Sequence, residues 1–233
     1  MKTIGILGGM GPEAGLHFYN LILKFTAAKN DQDHIPVVLW SNPKIPDRTK
    51  FILGKGKDPL PYLIEGAVKL KKVGADFLVM PCITAHYFYE EIVEEVKIPF
   101  LHIIEEAQKY QQINYPKIVN IGLIASTGTI KTGLFQKYFK DIKPIVPDSF
   151  DQEELVTDAI FGERGIKVGY KRYPQKLLIK VGENLIKRGA ECLMVGCTEA
   201  SIVLKGKLFD VPVLDPITIL ARKSVEYSLS END

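Results

Sequence analysis

The sequence predicts an α/β protein of two pseudo-symmetric lobes, each a parallel β-sheet flanked by helices. Two near-repeats and a regular alternation of apolar runs carry that prediction. Gly74-Ala75-Asp76-Phe77-Leu78-Val79-Met80-Pro81-Cys82 and Gly189-Ala190-Glu191-Cys192-Leu193-Met194-Val195-Gly196-Cys197 read almost alike, 115 positions apart. Gly5-Ile6-Leu7-Gly8-Gly9-Met10-Gly11-Pro12 aligns with Gly122-Leu123-Ile124-Ala125-Ser126-Thr127-Gly128-Thr129 at an offset of 117. Ile98-Pro99-Phe100-Leu101 aligns with Val211-Pro212-Val213-Leu214 at 113. Offsets that drift so little read as two copies of one unit. Within each copy, short apolar runs of the kind buried in parallel sheets alternate with helical patterns.

The elements follow in order. Lys2 to Leu7 reads as a strand, and Pro12, at a tolerated first-turn position after a glycine turn, starts a helix to about Ala28. Val37 to Trp40 is the next strand. Leu63, Ala67, Leu70 and Val73 recur at helical spacing within Leu60 to Val73. The apolar run after Gly74 and the Ile98 to Leu101 segment complete the first set of strands. Ile103 to Lys117 reads as a hinge between packed units, since no Gly/Ser linker separates the lobes. Ile118 to Ile124 opens the second copy, with helices at Leu155 to Phe161 and Leu177 to Lys187. Pro216 to about Ser228 is a last helix, expected to fold back and complete the first lobe. The predicted lobes are 1–103 plus 213–233, and 104–212.

A length of 233 residues suits one large domain or two ordinary lobes. Apolar content of 46% and charge of 25% belong to a soluble globular protein, and a net charge of +2 points to neither nucleic acid nor an anionic membrane as partner. No apolar stretch approaches the roughly 18 residues of a membrane span, and the amino terminus runs into a strand and reads as no signal peptide. Three cysteines without a dense framework fit a reducing cytoplasm. Cys192, inside its apolar run, reads as core.

Cys82 and Cys197 differ from it: each ends a repeated strand, where open α/β sheets bind ligands. Both are expected at strand-to-helix turns, where a helix N-terminus would lower a thiol's pKa and gather a carboxylate. Thr84 and Thr198 read as caps of those helices or as substrate contacts. Two thiols on opposite faces of one carbon suit proton transfer at a stereocentre, one as thiolate and the other as thiol. Such chemistry calls for no metal and no organic cofactor. Arg48, in the proline-stiffened Asn42 to Thr49 loop, is a carboxylate fork; a surface pair with Asp47 is the alternative. The glycine loop at Gly8 to Gly11 matches neither nucleotide fingerprint, and suits instead a close backbone approach by Met10 and Gly11 to a small anion. His86, four residues after Cys82, either tunes that thiol or simply packs. The other histidines share no metal-ligand spacing with a cysteine.

GILGGMGPEA (5–14), NPKIPDRT (42–49), PCITAH (81–86), GLIASTGT (122–129), GCTEAS (196–201) and DPITILA (215–221), in this order and spacing, resemble the aspartate/glutamate racemase family, and its aspartate racemases in particular. The resemblance covers essentially the whole chain. It implies two similar lobes with the site in the cleft between them, no cofactor, and a homodimer. It implies Cys82 and Cys197 as the acid/base pair and Arg48 as the substrate-carboxylate arginine. Lys167, in Gly165-Ile166-Lys167-Val168-Gly169, would be the second cation, with Thr84, Thr127 and Thr198 as site-lining hydroxyls. Aspartate is the implied substrate, with glutamate poorer. The family usually has Cys-Asn-Thr at the first cysteine, whereas Ile83 stands here in the middle position. Two other readings remain at this point: another cofactor-free isomerase or a decarboxylase of small dicarboxylates, and a non-catalytic sensor of an acidic metabolite.

Overall fold

The computed structural model describes residues 1–230, and in it the chain divides into two units: Met1–Glu106 joined by the stretch from Ile217, and Ala107–Pro216. The first unit runs β1 (Ile4–Gly8), α1 (Pro12–Phe25), β2 (Val37–Ser41), α2 (Arg48–Ile52), α3 (Leu60–Lys72), β3 (Phe77–Val79), α4 (Tyr89–Val96), β4 (Phe100–Leu101) and the start of α5 (Ile103–Asn114). Its strands are all parallel, in the order β2-β1-β3-β4. The second unit runs β5 (Asn120–Ile124), α6 (Thr127–Lys131), α7 (Leu134–Tyr138), β6 (Lys143–Ile145), α8 (Asp158–Phe161), α9 (Arg172–Lys187), β7 (Cys192–Val195), α10 (Ala200–Val203) and β8 (Val213–Leu214). Its sheet is also parallel, in the order β6-β5-β7-β8. The second order is the first with every strand number raised by four, so the two copies in sequence are two copies in topology. The closing helix α11 (Pro216–Leu229) extends through the stretch that belongs to the first unit. There Lys2 N–H donates to Ser228 O at 2.9 Å, and Tyr227 meets Phe77 edge-on at 4.8 Å.

The Gly-Ala-acid motif shows why the copies share a fold. Gly74 (φ +95°) and Gly189 (φ +96°) end α3 and α9 in the left-handed region, which a side chain resists. In each, the following alanine N–H reaches back five residues, Ala75 to Leu70 O and Ala190 to Leu185 O, both at 3.1 Å. These are Schellman closures, and they satisfy carbonyls the helix end would leave unpaired. The alanine then lies against a glycine of the central strand. A Cβ at Gly5 would sit 2.7 Å from Ala75 Cβ, and one at Gly122 would sit 3.0 Å from Ala190 Cβ. The acid finishes the turn. Asp76 accepts from Thr3 N–H at 2.6 Å, and Glu191 accepts from Val119 and Asn120 N–H at 3.1 and 2.9 Å. Those backbone donors hold the Glu191 carboxyl below its usual range.

Several expectations are corrected. The span Ile103 to Lys117, read as a boundary between units, contains the division at Glu106 and Ala107, and residues 103–114 of it form a helix that His102 caps: its Nδ1 accepts from Ile104 and Glu105 N–H at 3.2 Å each. The helix expected at Leu155 starts earlier, as a π-helical turn over Asp151–Thr157 that passes into α8. Val73, counted in the apolar stripe of α3, is 63% exposed at the helix end, while Leu63, Ala67 and Leu70 are buried as spaced. Each unit has its own core, with Leu7, Leu63, Leu70, Leu78 and Ile92 in the first. Ile124, Leu178, Val181 and Leu193 belong to that of the second.

Candidate active site

In the first unit Cys82 lies three residues beyond the end of β3, at the carboxyl edge of the sheet. Its loop is tight: Cys82 N–H donates to Met80 O at 2.8 Å. The thiol is buried, and Ile83 beside it is core at 2% exposure. The residue that departs from the family pattern therefore packs inward. Thr84, half-buried, opens a 3-10 turn (Thr84–Phe88), with Ile83 in its cap position.

His86 is packed against the Cys82 loop and bonds its backbone. Its Nδ1 is 2.9 Å from Cys82 O, and Ile103 N–H donates to its Nε2 at 3.3 Å. A carbonyl must accept and an amide must donate, so the neutral Nδ1–H tautomer is the one that fits. Burial drives the His86 pKa down to about 4, against a smaller opposite pull from the Cys82 carbonyl.

Arg48 begins α2, next to its cap Asp47, which accepts from Lys50 N–H at 2.9 Å. Asp47 thus caps the helix, and the Arg48 guanidinium turns to backbone oxygens instead of the surface pair considered from spacing. Nη1 donates to Ile45 O at 3.3 Å and Pro46 O at 3.0 Å, and Nη2 donates to Met10 O at 3.1 Å. The arginine so pins the Met10 loop to the proline loop. Three of the five donors of a guanidinium are used, which leaves Nε–H and one on Nη2. The Nε–H is buried without a partner. Gly11, beside Met10, occupies the N-cap position of α1, with Pro12 in the first turn.

In the second unit Cys197 lies two residues beyond β7, equivalent in place to Cys82. It is 7% exposed, and its Sγ–H donates to Glu199 Oε2 at 3.2 Å. Thr198 donates to the same oxygen at 3.3 Å. Lys167, from a 3-10 turn over Ile166–Val168, pairs with the other oxygen, Glu199 Oε1. Cys197, Thr198 and Lys167 therefore converge on one buried carboxylate. Neither threonine is a helix cap: α10 starts at Ala200 with Glu199 in its cap position, and Thr198 spends its hydroxyl on Glu199.

The expected lowering of the thiol pKa does not hold at Cys197. Burial raises it well above the usual thiol range, the Glu199 charge adds to that, and the Lys167 charge opposes it. A helix of four residues supplies too little dipole to compete. For Glu199, burial pushes upward, but Lys167 and the bonds it receives prevail, and its pKa is lowered. Cys192 is core as read, its thiol driven up to about 12 by burial.

Thr127 is the first residue of α6, at the end of β5 and beside the strand that carries Cys197. Gln152 holds it. The Gln152 amide donates to Ala125 O at 3.1 Å and to Thr127 Oγ1 at 3.2 Å. An oxygen that accepts from the amide still has its own proton to donate, the polarity a carboxylate ligand needs. Glu199 and Gln152 were both missed from sequence. A glutamate two residues after a repeated cysteine was the available signal for the first; nothing marked the second. Among the described residues no cluster of three His, Cys, Asp or Glu could hold a metal, and no helix is long and apolar enough to cross a membrane.

The family model described as Asp/Glu/hydantoin racemase matches residues 7–224. The chain belongs to that family. It is 31% identical to the broad specificity amino-acid racemase RacX of Bacillus subtilis (strain 168), over 97% of this chain and 98% of that one. Among solved structures, the Picrophilus torridus aspartate racemase is similar over 97% of this chain and 95% of its own, with a TM-score of 0.84 and 26% identity. A glutamate racemase of Bacillus anthracis, at 17% identity, a TM-score of 0.66 and coverage of 97% and 80%, shares the fold. Membership makes the protein an isomerase of the racemase class.

In this racemase the Arg48 contacts have a structural consequence that can be measured apart from activity. Arg48→Ala is expected to cost about 2–3 kcal/mol in urea denaturation, the usual worth of hydrogen bonds from a charged donor. A loss below about 0.5 kcal/mol would mean that the prolines alone hold the loop.

Proposed function

We propose that the protein interconverts L- and D-aspartate without an organic cofactor, with Cys82 and Cys197 as the two acid/base groups. The observation that carries this reading is their equivalence. Two free, buried thiols stand at the carboxyl ends of corresponding strands, β3 and β7, in two sheets of the same order. A thiolate on one face of Cα takes its proton, and a thiol on the other face returns one, which inverts the centre. The α-carboxylate goes to the remaining donors of Arg48 and the Met10–Gly11 backbone. Thr84 and Thr127 offer hydroxyls, and Thr198 and Lys167 turn from Glu199 to the substrate once it competes for them, Lys167 to the second carboxylate. The similarity to an aspartate racemase supports aspartate, and the similarity to a broad-specificity racemase requires that other amino acids be tried. A homodimer in a reducing cytoplasm, where three free thiols persist, completes the proposal.

The test is incubation with L-aspartate in deuterated water, followed by the α-proton signal and by chirality, with no pyridoxal phosphate added. Deuterium incorporation with conversion to D-aspartate is expected. Glutamate and a panel of neutral amino acids, run alongside, rank the substrates. Binding of aspartate without exchange would overturn the reading and leave a sensor; turnover of neutral amino acids alone would overturn the substrate.

A further inference from the structure

The two thiols are equivalent in place but not in surroundings. Cys197 shares its loop with a buried carboxylate, and its hydrogen points at that carboxylate. We propose that Glu199 holds the proton on Cys197 in the resting protein, so that Cys197 enters turnover as the thiol that donates. This rests on the racemase reading above and supplies what equivalence alone leaves open, the identity of the protonated partner.

The geometry carries the argument. A thiol within hydrogen-bond distance of a carboxylate has something to gain from keeping its hydrogen, because the thiolate would face a like charge at 3.2 Å. The same contact could in principle serve the opposite purpose, with Glu199 as a base that strips the thiol. Its other partners decide against that. Oε1 is paired with Lys167 and Oε2 also accepts from Thr198, so the carboxylate is held in its charged form. Ordinary thiol and carboxylate pKa values already stand about four units apart. Here the thiol is raised and the carboxylate lowered, which widens the gap. The charged groups that bear on Cys197 are Glu199 from its own loop and Lys167 from the 3-10 turn. Ile160, Ile166 and Ala200 belong to the same buried apolar cluster as Cys197.

The proton balance follows. The Cα–H bond breaks as Cys82 thiolate takes the proton and becomes a thiol. The electron pair left on Cα takes the Cys197 hydrogen on the other face, and Cys197 becomes a thiolate. That product form places two anions side by side, with Lys167 to balance them. A proton returned from solvent to Cys197, and one lost from Cys82, restores the resting form. Glu199 is in this sense a positioning residue, acting through Cys197.

The experiment reads the thiol directly and needs no substrate. Iodoacetamide labelling of each cysteine is followed by mass spectrometry from pH 6 to pH 10 in the full-length protein. Glu199→Gln keeps a side chain of the same shape without the charge, and is expected to speed Cys197 labelling at pH 7.5 by about tenfold, the equivalent of one pKa unit. Cys82 labelling should change less than about twofold. Lys167→Met removes the balancing cation and is expected to slow Cys197 labelling. Opposite signs in the two variants are not what loosened packing produces, since that would expose Cys197 in both. Labelling changed in the same direction by both variants would overturn the proposal. So would an unchanged Cys197 profile in Glu199→Gln, or, if that variant does not fold, an unchanged or faster profile in Lys167→Met. Failure of aspartate and of every other amino acid in the panel to turn over in the wild type would overturn the racemase reading and leave this result standing as a property of the thiol.

Discussion

Cys82→Ser and Cys197→Ser are each expected to lower aspartate inversion by roughly 10²–10⁴-fold, the usual worth of one positioned acid or base. A hydroxyl gives up its proton far less readily than a thiol, so serine keeps the shape and loses the proton transfer. The fold should survive both changes. The thiols are nearly buried, but the serine hydroxyl at 197 can donate to Glu199 Oε2 as the thiol does, and at 82 the constraining bonds come from the backbone. Two further readouts separate pairing from independent action. Cys197→Ser should still exchange the α-proton slowly through Cys82, without inversion, and Cys82→Ser should exchange far less, because Glu199 keeps the hydrogen on Cys197. The double variant should be little worse than either single one, because groups that act as a unit fail as a unit. Full inversion in either single variant, checked by chiral separation of product, would remove the two-thiol mechanism.

How much of this was legible in the sequence depends on the range of the interaction. The repeats were legible because each Gly-Ala-acid motif is a local device: a left-handed helix end, a small residue against a strand glycine, and an acid that takes strand amides. The parallel sheets followed, and so did the return of the last helix. β6 was not seen. It is three residues long, lies at the sheet edge and contains Pro144, which a central strand would not tolerate. The caps failed for a related reason. A threonine after a strand-ending cysteine reads as a helix start only if the helix begins there, and after Cys197 the chain makes one more turn, closed by Ala200 N–H to Cys197 O at 3.0 Å, before α10. A histidine cap at His102 was equally hidden, since Ser, Thr, Asp and Asn are the residues that advertise such ends. Glu199 escaped because its meaning lies in a lysine 32 positions earlier. No local pattern joins the two, and without Lys167 the glutamate reads as a helix N-terminal acid. The functional core of the prediction therefore rested on local repetition. The electrostatics that distinguishes the two thiols is long-range in sequence and became visible only with the fold.

Acid is expected to weaken the protein well before its carboxylates are protonated, through His86. The side chain is 2% exposed, neutral, and bonded on both nitrogens, with a folded pKa of about 4 against an ordinary 6.5. The folded pKa lies below the unfolded one, so the unfolded chain binds more protons between those values and stability falls as pH falls. The contribution is fully present above pH 6.5 and declines from there towards pH 4. Between pH 7.5 and pH 5 the loss should be about 2 kcal/mol, a window in which ordinary carboxylates scarcely titrate. Asp33, Glu191 and Glu199, whose pKa values are lowered, act in the same sense only at lower pH. Urea midpoints across the window, compared with His86→Gln, isolate the effect, because glutamine can donate and accept but does not titrate there. The variant should be less stable at pH 7.5 and much flatter with pH. The consequence reaches the site, since the bonds that protonation strains tie the Cys82 carbonyl to the first turn of α5. A wild-type stability that is level between pH 7.5 and pH 5, or a slope equal to that of His86→Gln, would show that His86 is not the group that couples the Cys82 loop to acid.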